Sequence, residues 1–139
     1  MTAFRQVTAS FAVSPQIGAA DVGRASSQGF KQIINNRPDG ESPDQPPGAE
    51  IEAAARAHGL DYVAIPVTGR LTAEQAKAMA EAAAAGPTLA FCRTGTRSIT
   101  AWALGQVATG ALSREELLRL AAAAGYDLTG VLAAPPRDQ

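Results

Sequence analysis

Leu89-Ala90-Phe91-Cys92-Arg93-Thr94-Gly95-Thr96-Arg97-Ser98 runs on into Ile99-Thr100-Ala101-Trp102-Ala103-Leu104. The apolar residues before the cysteine predict a short buried strand, and a tight glycine-containing loop follows. A helix is predicted to open near Ser98. That order builds an anion cradle, because the N–H groups at a helix N-terminus converge on one point faced by the positive end of the helix dipole. Cys92, the only cysteine in the chain, is expected at that focus, with Arg93 and Arg97 on either side. A thiol in such a field should give up its proton readily, and exposure at a loop marks it as a nucleophile rather than a packing residue. Gly95 supplies the conformation or close approach that a tight cradle needs. Arg97 can grip a tetrahedral oxyanion through its planar fork. A lone cysteine after three apolar residues is ordinarily a small buried hydrophobe; the whole pattern Cys-x-x-Gly-x-Arg-Ser favours the nucleophile.

The rest of the chain alternates around this unit. Phe4 to Val13 predicts one or two short strands near a sheet edge, Ala19 to Gln28 a helix stopped by Gly29, and Phe30 to Asn35 a buried strand. Arg37 to Gly48 holds four of the nine prolines with Asp39, Glu41 and Asp44. Such a stretch must be a loop, and one this long is expected to be functional. Ala49 to His58 predicts a helix, with His58 as a surface C-terminal cap, and Tyr62 to Val67 the next strand. Capping boxes at Thr72 and Ser113 open helices to about Ala85 and Ala124. Tyr126 to Leu132 adds a short helical segment, and Pro135 to Gln139 is expected to fray. Strands alternating with helices imply an α/β fold of three layers, a mostly parallel sheet flanked by helices, with sites at the carboxyl ends of the strands. Trp102 reads as core. Both Cys92 and the loop from Arg37 follow strands, which puts Asp39 or Glu41 within reach of the thiolate.

Phe91 to Ser98 resembles the active-site loop of cysteine-dependent phosphatases and rhodaneses. With Phe11-Ala12-Val13-Ser14-Pro15-Gln16-Ile17, Ile33-Ile34-Asn35-Asn36-Arg37-Pro38-Asp39-Gly40-Glu41 and Ile65-Pro66-Val67, the chain resembles the bacterial beta-lactamase-hydrolase-like family in its phosphatase-like domain. The resemblance covers residues 3–110. It implies a protein-tyrosine/dual-specificity phosphatase-like fold. Length and the absence of a dividing linker predict one domain over 1–139, with residues 111–134 read as C-terminal helices.

Two chemistries fit the cradle. Cys92 either attacks a phosphomonoester and forms a phosphocysteine, or accepts a sulfane sulfur from thiosulfate or a persulfide and passes it to a thiol acceptor. The related phosphatases place five residues between cysteine and arginine, usually with a histidine before the cysteine. Here four residues separate Cys92 from Arg97 and Phe91 precedes the cysteine, as in a rhodanese loop. No carboxylate follows Ile65-Pro66-Val67 until Glu74, so an ester's leaving group would depend on Asp39. The balance leans to sulfane-sulfur transfer, with phosphoester hydrolysis as the alternative and an oxidisable Cys92 sensor as a third reading. The candidate catalytic residues are Cys92, Arg97, Ser98 (as a hydrogen-bond partner of Cys92) and Asp39. Arg93, Thr94, Gly95, Thr96 and Arg37 are the candidate anion-binding groups. Enzymes of sulfide oxidation are the expected partners of a sulfur transferase.

Composition bounds the remainder. A net charge of −1 over 139 residues gives no global pull toward nucleic acid or membrane. One cysteine and one histidine exclude an internal disulfide and a Cys/His zinc site, so neither a metal nor a cofactor is expected. No run approaches the ~20 apolar residues of a membrane span, and a reducing cytoplasm is the expected setting.

Overall fold

The computed structural model describes residues 2–133, so the expectation for Pro135 to Gln139 lies outside the described residues. Among the described residues five strands form one sheet: β1 (Arg5–Thr8), β2 (Phe11–Ser14), β3 (Gln32–Asn35), β4 (Asp61–Ala64) and β5 (Thr88–Phe91), in the order β1-β2-β5-β3-β4. Only β1 runs antiparallel, to β2; the other pairings are parallel. The helices are α1 (Ala19–Ser27), α2 (Gly48–Ala57), α3 (Ala73–Ala83), α4 (Thr96–Thr109), α5 (Arg114–Ala123) and α6 (Thr129–Leu132).

Side-chain alternation along the inner strands divides the core in two. Ile33, Leu89 and Phe91 face one side, with Val22 of α1 and Ile51 of α2. Ile34 and Ala90 face the other, with Met79 of α3, Ile99 and Trp102 of α4 and Leu117 of α5. Trp102 is core, stacked on Phe11 at 4.7 Å between centroids. The two buried polar side chains of β3 are bonded: Gln32 donates to Ala82 O and Thr88 Oγ1 at 2.8 and 2.9 Å, and Asn35 donates to Tyr62 Oη and accepts the Arg37 N–H, both at 2.9 Å.

Ser14, Phe91 and Asn35 lie abreast, and Asn35 pairs with Ala64. The chain therefore leaves all four parallel strands at one sheet edge, which puts Cys92 and the 37–48 loop on the same side. Of the boundaries that differ from the sequence reading, two lie beside the site. β4 ends at Ala64 because Pro66 has no N–H to donate, although the amides of Ile65 and Val67 still bond Asn35 O and Asn36 O at 2.9 and 3.0 Å. Helix α4 begins at Thr96, two residues ahead of Ser98, because Gly95 turns into it with φ +92°.

Candidate functional site

Cys92 leaves β5 with its amide bonded to Ser14 O at 3.3 Å. Its sulfur accepts the Gly95 N–H at 3.1 Å. With Gly95 capping α4, the positive end of that helix lies inside the loop itself. The exposed thiol expected from the loop position is not found: Cys92 is fully buried. The loop curls back over the sulfur instead of presenting it to solvent. Ser98 is also buried, and its Oγ makes no hydrogen bond to Cys92 or to any other described group. Its expected support of the thiol is therefore absent from this arrangement.

Arg97 is held by the loop that follows β3. Its Nη1 and Nη2 donate end-on to Glu41 Oε2 and Oε1 at 2.7 and 2.8 Å, and Nη1 also donates to Val67 O at 2.9 Å. A guanidinium has five N–H donors, so Nε and one hydrogen of Nη2 remain, on the adjacent edge. That edge is the fork a tetrahedral oxyanion takes. The Glu41 hydrogen bonds raise the pKa of Arg97, and the nearby Cys92 charge acts in the same sense. Conversely, Arg97 above all, and Arg37 with it, pulls the Glu41 carboxyl down to about 2.

Arg37 lies under this pair with its side chain only 5% exposed. It donates Nε to Glu41 Oε1 (3.0 Å), Nη1 to Gln16 Oε1 (3.0 Å) and Nη2 to Ser42 Oγ (3.2 Å). Its charge is thus spent on fixing Glu41 and the loop. Asp39 is bonded to the start of α2 and to no group of the Cys92 loop. Its Oδ1 accepts the Gly48 N–H at 2.8 Å at the start of α2, and it lines a hollow of about 370 Å³ with Asn35, Tyr62 and Glu52 that does not include Cys92. Arg93 is exposed, and its carbonyl accepts the Gln16 N–H at 3.3 Å. Thr94 Oγ1 bonds Thr96 Oγ1 at 3.1 Å on the loop's outer side. His58 caps α2 at the surface, as expected.

The structure thus brings Cys92, Gly95 and Arg97 together, turns Asp39 elsewhere, and makes Arg37 a support. Glu41, weighed in the sequence only as an alternative to Asp39, is the residue that reaches Arg97. Gln16 and Tyr126 are not marked by the sequence. Gln16 stands in a quoted motif but has no chemistry of its own to mark it. Tyr126, whose hydroxyl donates to Thr94 O at 3.0 Å, lies in the C-terminal tail, where nothing local points to the loop. Among the described residues no group of three or more His, Cys, Asp or Glu could hold a metal ion, and no helix is long and apolar enough to cross a membrane.

Residues 3–109 match the family described as "Beta-lactamase hydrolase-like protein, phosphatase-like domain". A beta-lactamase hydrolase-like protein of Agrobacterium fabrum is 42% identical over 112 residues, 78% of this chain but 26% of that protein. One from Xylella fastidiosa is 39% identical over 120 residues, 84% of this chain and 28% of that protein. The chain spans about a quarter of the length of these curated relatives. Among solved structures, a "putative phosphatase" of Neisseria meningitidis superposes with TM-score 0.80 at 32% identity, over 91% of this chain and 92% of that one. A Shewanella putrefaciens protein of 20% identity, TM-score 0.69, covering 89% of this chain and 92% of its own, shares the fold.

Proposed function

We propose that this chain, which belongs to the phosphatase-like domain family of beta-lactamase hydrolase-like proteins, transfers sulfane sulfur through a persulfide on Cys92. The observation that carries this reading is the commitment of the loop's three carboxylates. Asp44 accepts the Ser42 hydroxyl at 2.9 Å, and that bond lowers its pKa. Asp39 is bonded to the start of α2. Glu41 is ionised between two arginines, with a pKa of about 2. None of the three is set to protonate an alkoxide leaving group, which ester hydrolysis needs and sulfur transfer does not. The short loop between Cys92 and Arg97 supports the same choice.

In the first step the Cys92 thiolate attacks the outer sulfur of thiosulfate. The new S–S bond forms as the old one breaks, and sulfite departs with the electron pair of the broken bond. A persulfide donor reacts in the same way and releases its own thiolate. The free edge of Arg97 binds the donor's negative charge, while the Gly95 amide stays on the Cys92 sulfur. In the second step an acceptor thiolate attacks the outer sulfur of the Cys92 persulfide, takes it as a new persulfide, and restores the Cys92 thiolate. Arg93, exposed beside the cradle, draws the anion in. Reactions that oxidise sulfide or persulfides would supply the donor.

Intact mass after incubation with thiosulfate or glutathione persulfide tests the proposal, run beside p-nitrophenyl phosphate turnover. A thiol-reversible gain of one sulfur, missing in Cys92→Ser, is the expected result. Cys92-dependent phosphate release with no persulfide would overturn it in favour of phosphomonoester hydrolysis. That second reading is favoured by the fold and by the 32% identity to the Neisseria meningitidis "putative phosphatase".

A further inference from the structure

The peptide between Thr94 and Gly95 is held from both ends. Its carbonyl accepts the Tyr126 hydroxyl at 3.0 Å, and its N–H donates to the Cys92 sulfur at 3.1 Å. In a trans peptide these two groups point in opposite directions, so fixing one aims the other. The restraint matters because residue 95 is glycine at φ +92°, where a peptide can turn over at little cost. Turned over, it would present a carbonyl oxygen to the thiolate in place of a donor.

The geometry points to Tyr126 as a positioning residue: its hydroxyl pins the Thr94 carbonyl and so keeps the Gly95 amide on the Cys92 sulfur. The fit is tight on the other side too. A Cβ built on Gly95 would lie 2.2 Å from Tyr126 Oη, so the tyrosine fills the space that any side chain at 95 would need. Tyr126 lies between α5 and α6, beyond the residues that match the family. The tail that carries it is tied to the sheet by Arg5, whose Nη1 donates to Ala124 O at 3.4 Å. Burial raises the pKa of the Tyr126 hydroxyl, with Arg5 opposing and the Cys92 charge adding to the rise. The hydroxyl therefore stays protonated as a donor through neutral pH. The charged groups around the pair are Arg93 and Asp127, each next in sequence to one member, Arg97 from α4 with its partner Glu41, and Arg5 from β1. The assignment rests on Cys92 being the nucleophile proposed above, but not on which group it transfers.

The test is the pH profile of Cys92 alkylation by iodoacetamide on the full chain, with Cys92→Ser as the blank. In Tyr126→Phe the ring remains and the hydroxyl is lost. The profile should move to higher pH by roughly half to one unit, a three- to tenfold slower reaction below its midpoint, and the Gly95 amide NMR resonance should move with it. Leu128→Ala weakens the packing of the same tail at a buried position while keeping the hydroxyl, and should lower stability without moving the profile. Superimposable profiles for wild type and Tyr126→Phe would overturn the assignment, as would an equal shift in Leu128→Ala. A shifted profile in a protein that forms no persulfide would count against sulfur transfer alone and leave the role of Tyr126 standing.

Discussion

Glu41→Gln removes the charge on which Arg97 and Arg37 converge, and its effect is calculable. The carboxyl is held at about 2 instead of the ordinary 4.5. Taken at full value, at 1.36 kcal/mol per unit, that is about 3 kcal/mol of stability. Glu41 sits at the surface with its side chain 29% exposed, so solvent screening reduces this to about 1–2 kcal/mol. The sign follows from proton counting. Between the two values the unfolded chain binds more protons than the folded one, so stability rises with pH across that window. The contribution is complete above about 4.5 and is lost as the pH falls through about 2. Denaturant melts of wild type and Glu41→Gln from pH 7 to 2.5 should therefore differ by about 1–2 kcal/mol at neutrality and converge in acid. Sulfur transfer should fall about tenfold at pH 7, since the guanidinium fork loses one of its two anchoring bonds and the charge behind the other. A variant with the wild-type acid limb and an unchanged stability at pH 7 would refute the ion-pair account.

Arg97→Lys keeps a positive charge but cannot span Glu41, Val67 O and an incoming anion together; persulfide formation should drop by about a hundredfold or more in a protein that still folds. Asp39→Asn can still accept the Gly48 N–H and should leave both turnover and stability close to wild type. Asp39→Ala should cost about 1 kcal/mol in denaturant melts, and a selective loss of ester hydrolysis in Asp39→Asn would instead restore Asp39 as an acid. Gly105→Ala places a Cβ 2.4 Å from the Ala76 carbonyl, which must push α4 off α3; a loss of about 1–3 kcal/mol is expected by the same melts.

What was legible in the sequence was what is decided locally. The capping boxes at Thr72 and Ser113 form as read, each hydroxyl accepting the amide three residues on at 3.1 Å. The apolar runs of β3 and β5 are buried throughout, and the loop that the prolines predicted is a loop. The strand–loop–helix unit around Cys92 was equally plain, since glycine and arginine at fixed offsets are local features. The contacts that complete the site are not local. Glu41 reaches Arg97 across 56 positions and Tyr126 reaches Thr94 across 32, and only the packing of loop and tail brings them together. The exposure of Cys92 was misjudged for the same reason: a loop residue is ordinarily solvated, but this loop closes on its own first residue. Asp39 misled because a carboxylate in a functional-looking loop has two uses, and a free helix N-terminus nine residues away claimed it.

The proton inventory also limits what any phosphatase activity of this site can look like. At pH 7 a carboxyl with a pKa of about 2 is protonated in only about one molecule in 10⁵. A general acid contributes about 10²–10⁴ in rate, so Glu41 held in its ion pair could return less than its scarcity costs. Breaking the pair would restore the ordinary value of 4.5, but it would also remove the carboxylate that holds the Arg97 fork in place. Ester hydrolysis here should therefore run only where the leaving group needs no proton. Nitrophenolate meets that condition and an alkoxide does not, whereas sulfite and thiolates leave as stable anions. Turnover of p-nitrophenyl phosphate and of glycerol phosphate, compared at equal concentration, should differ by far more than their binding. Comparable rates on the two esters, dependent on Cys92, would mean that a proton donor reaches the cradle and that the carboxylates do not keep the site from ester hydrolysis.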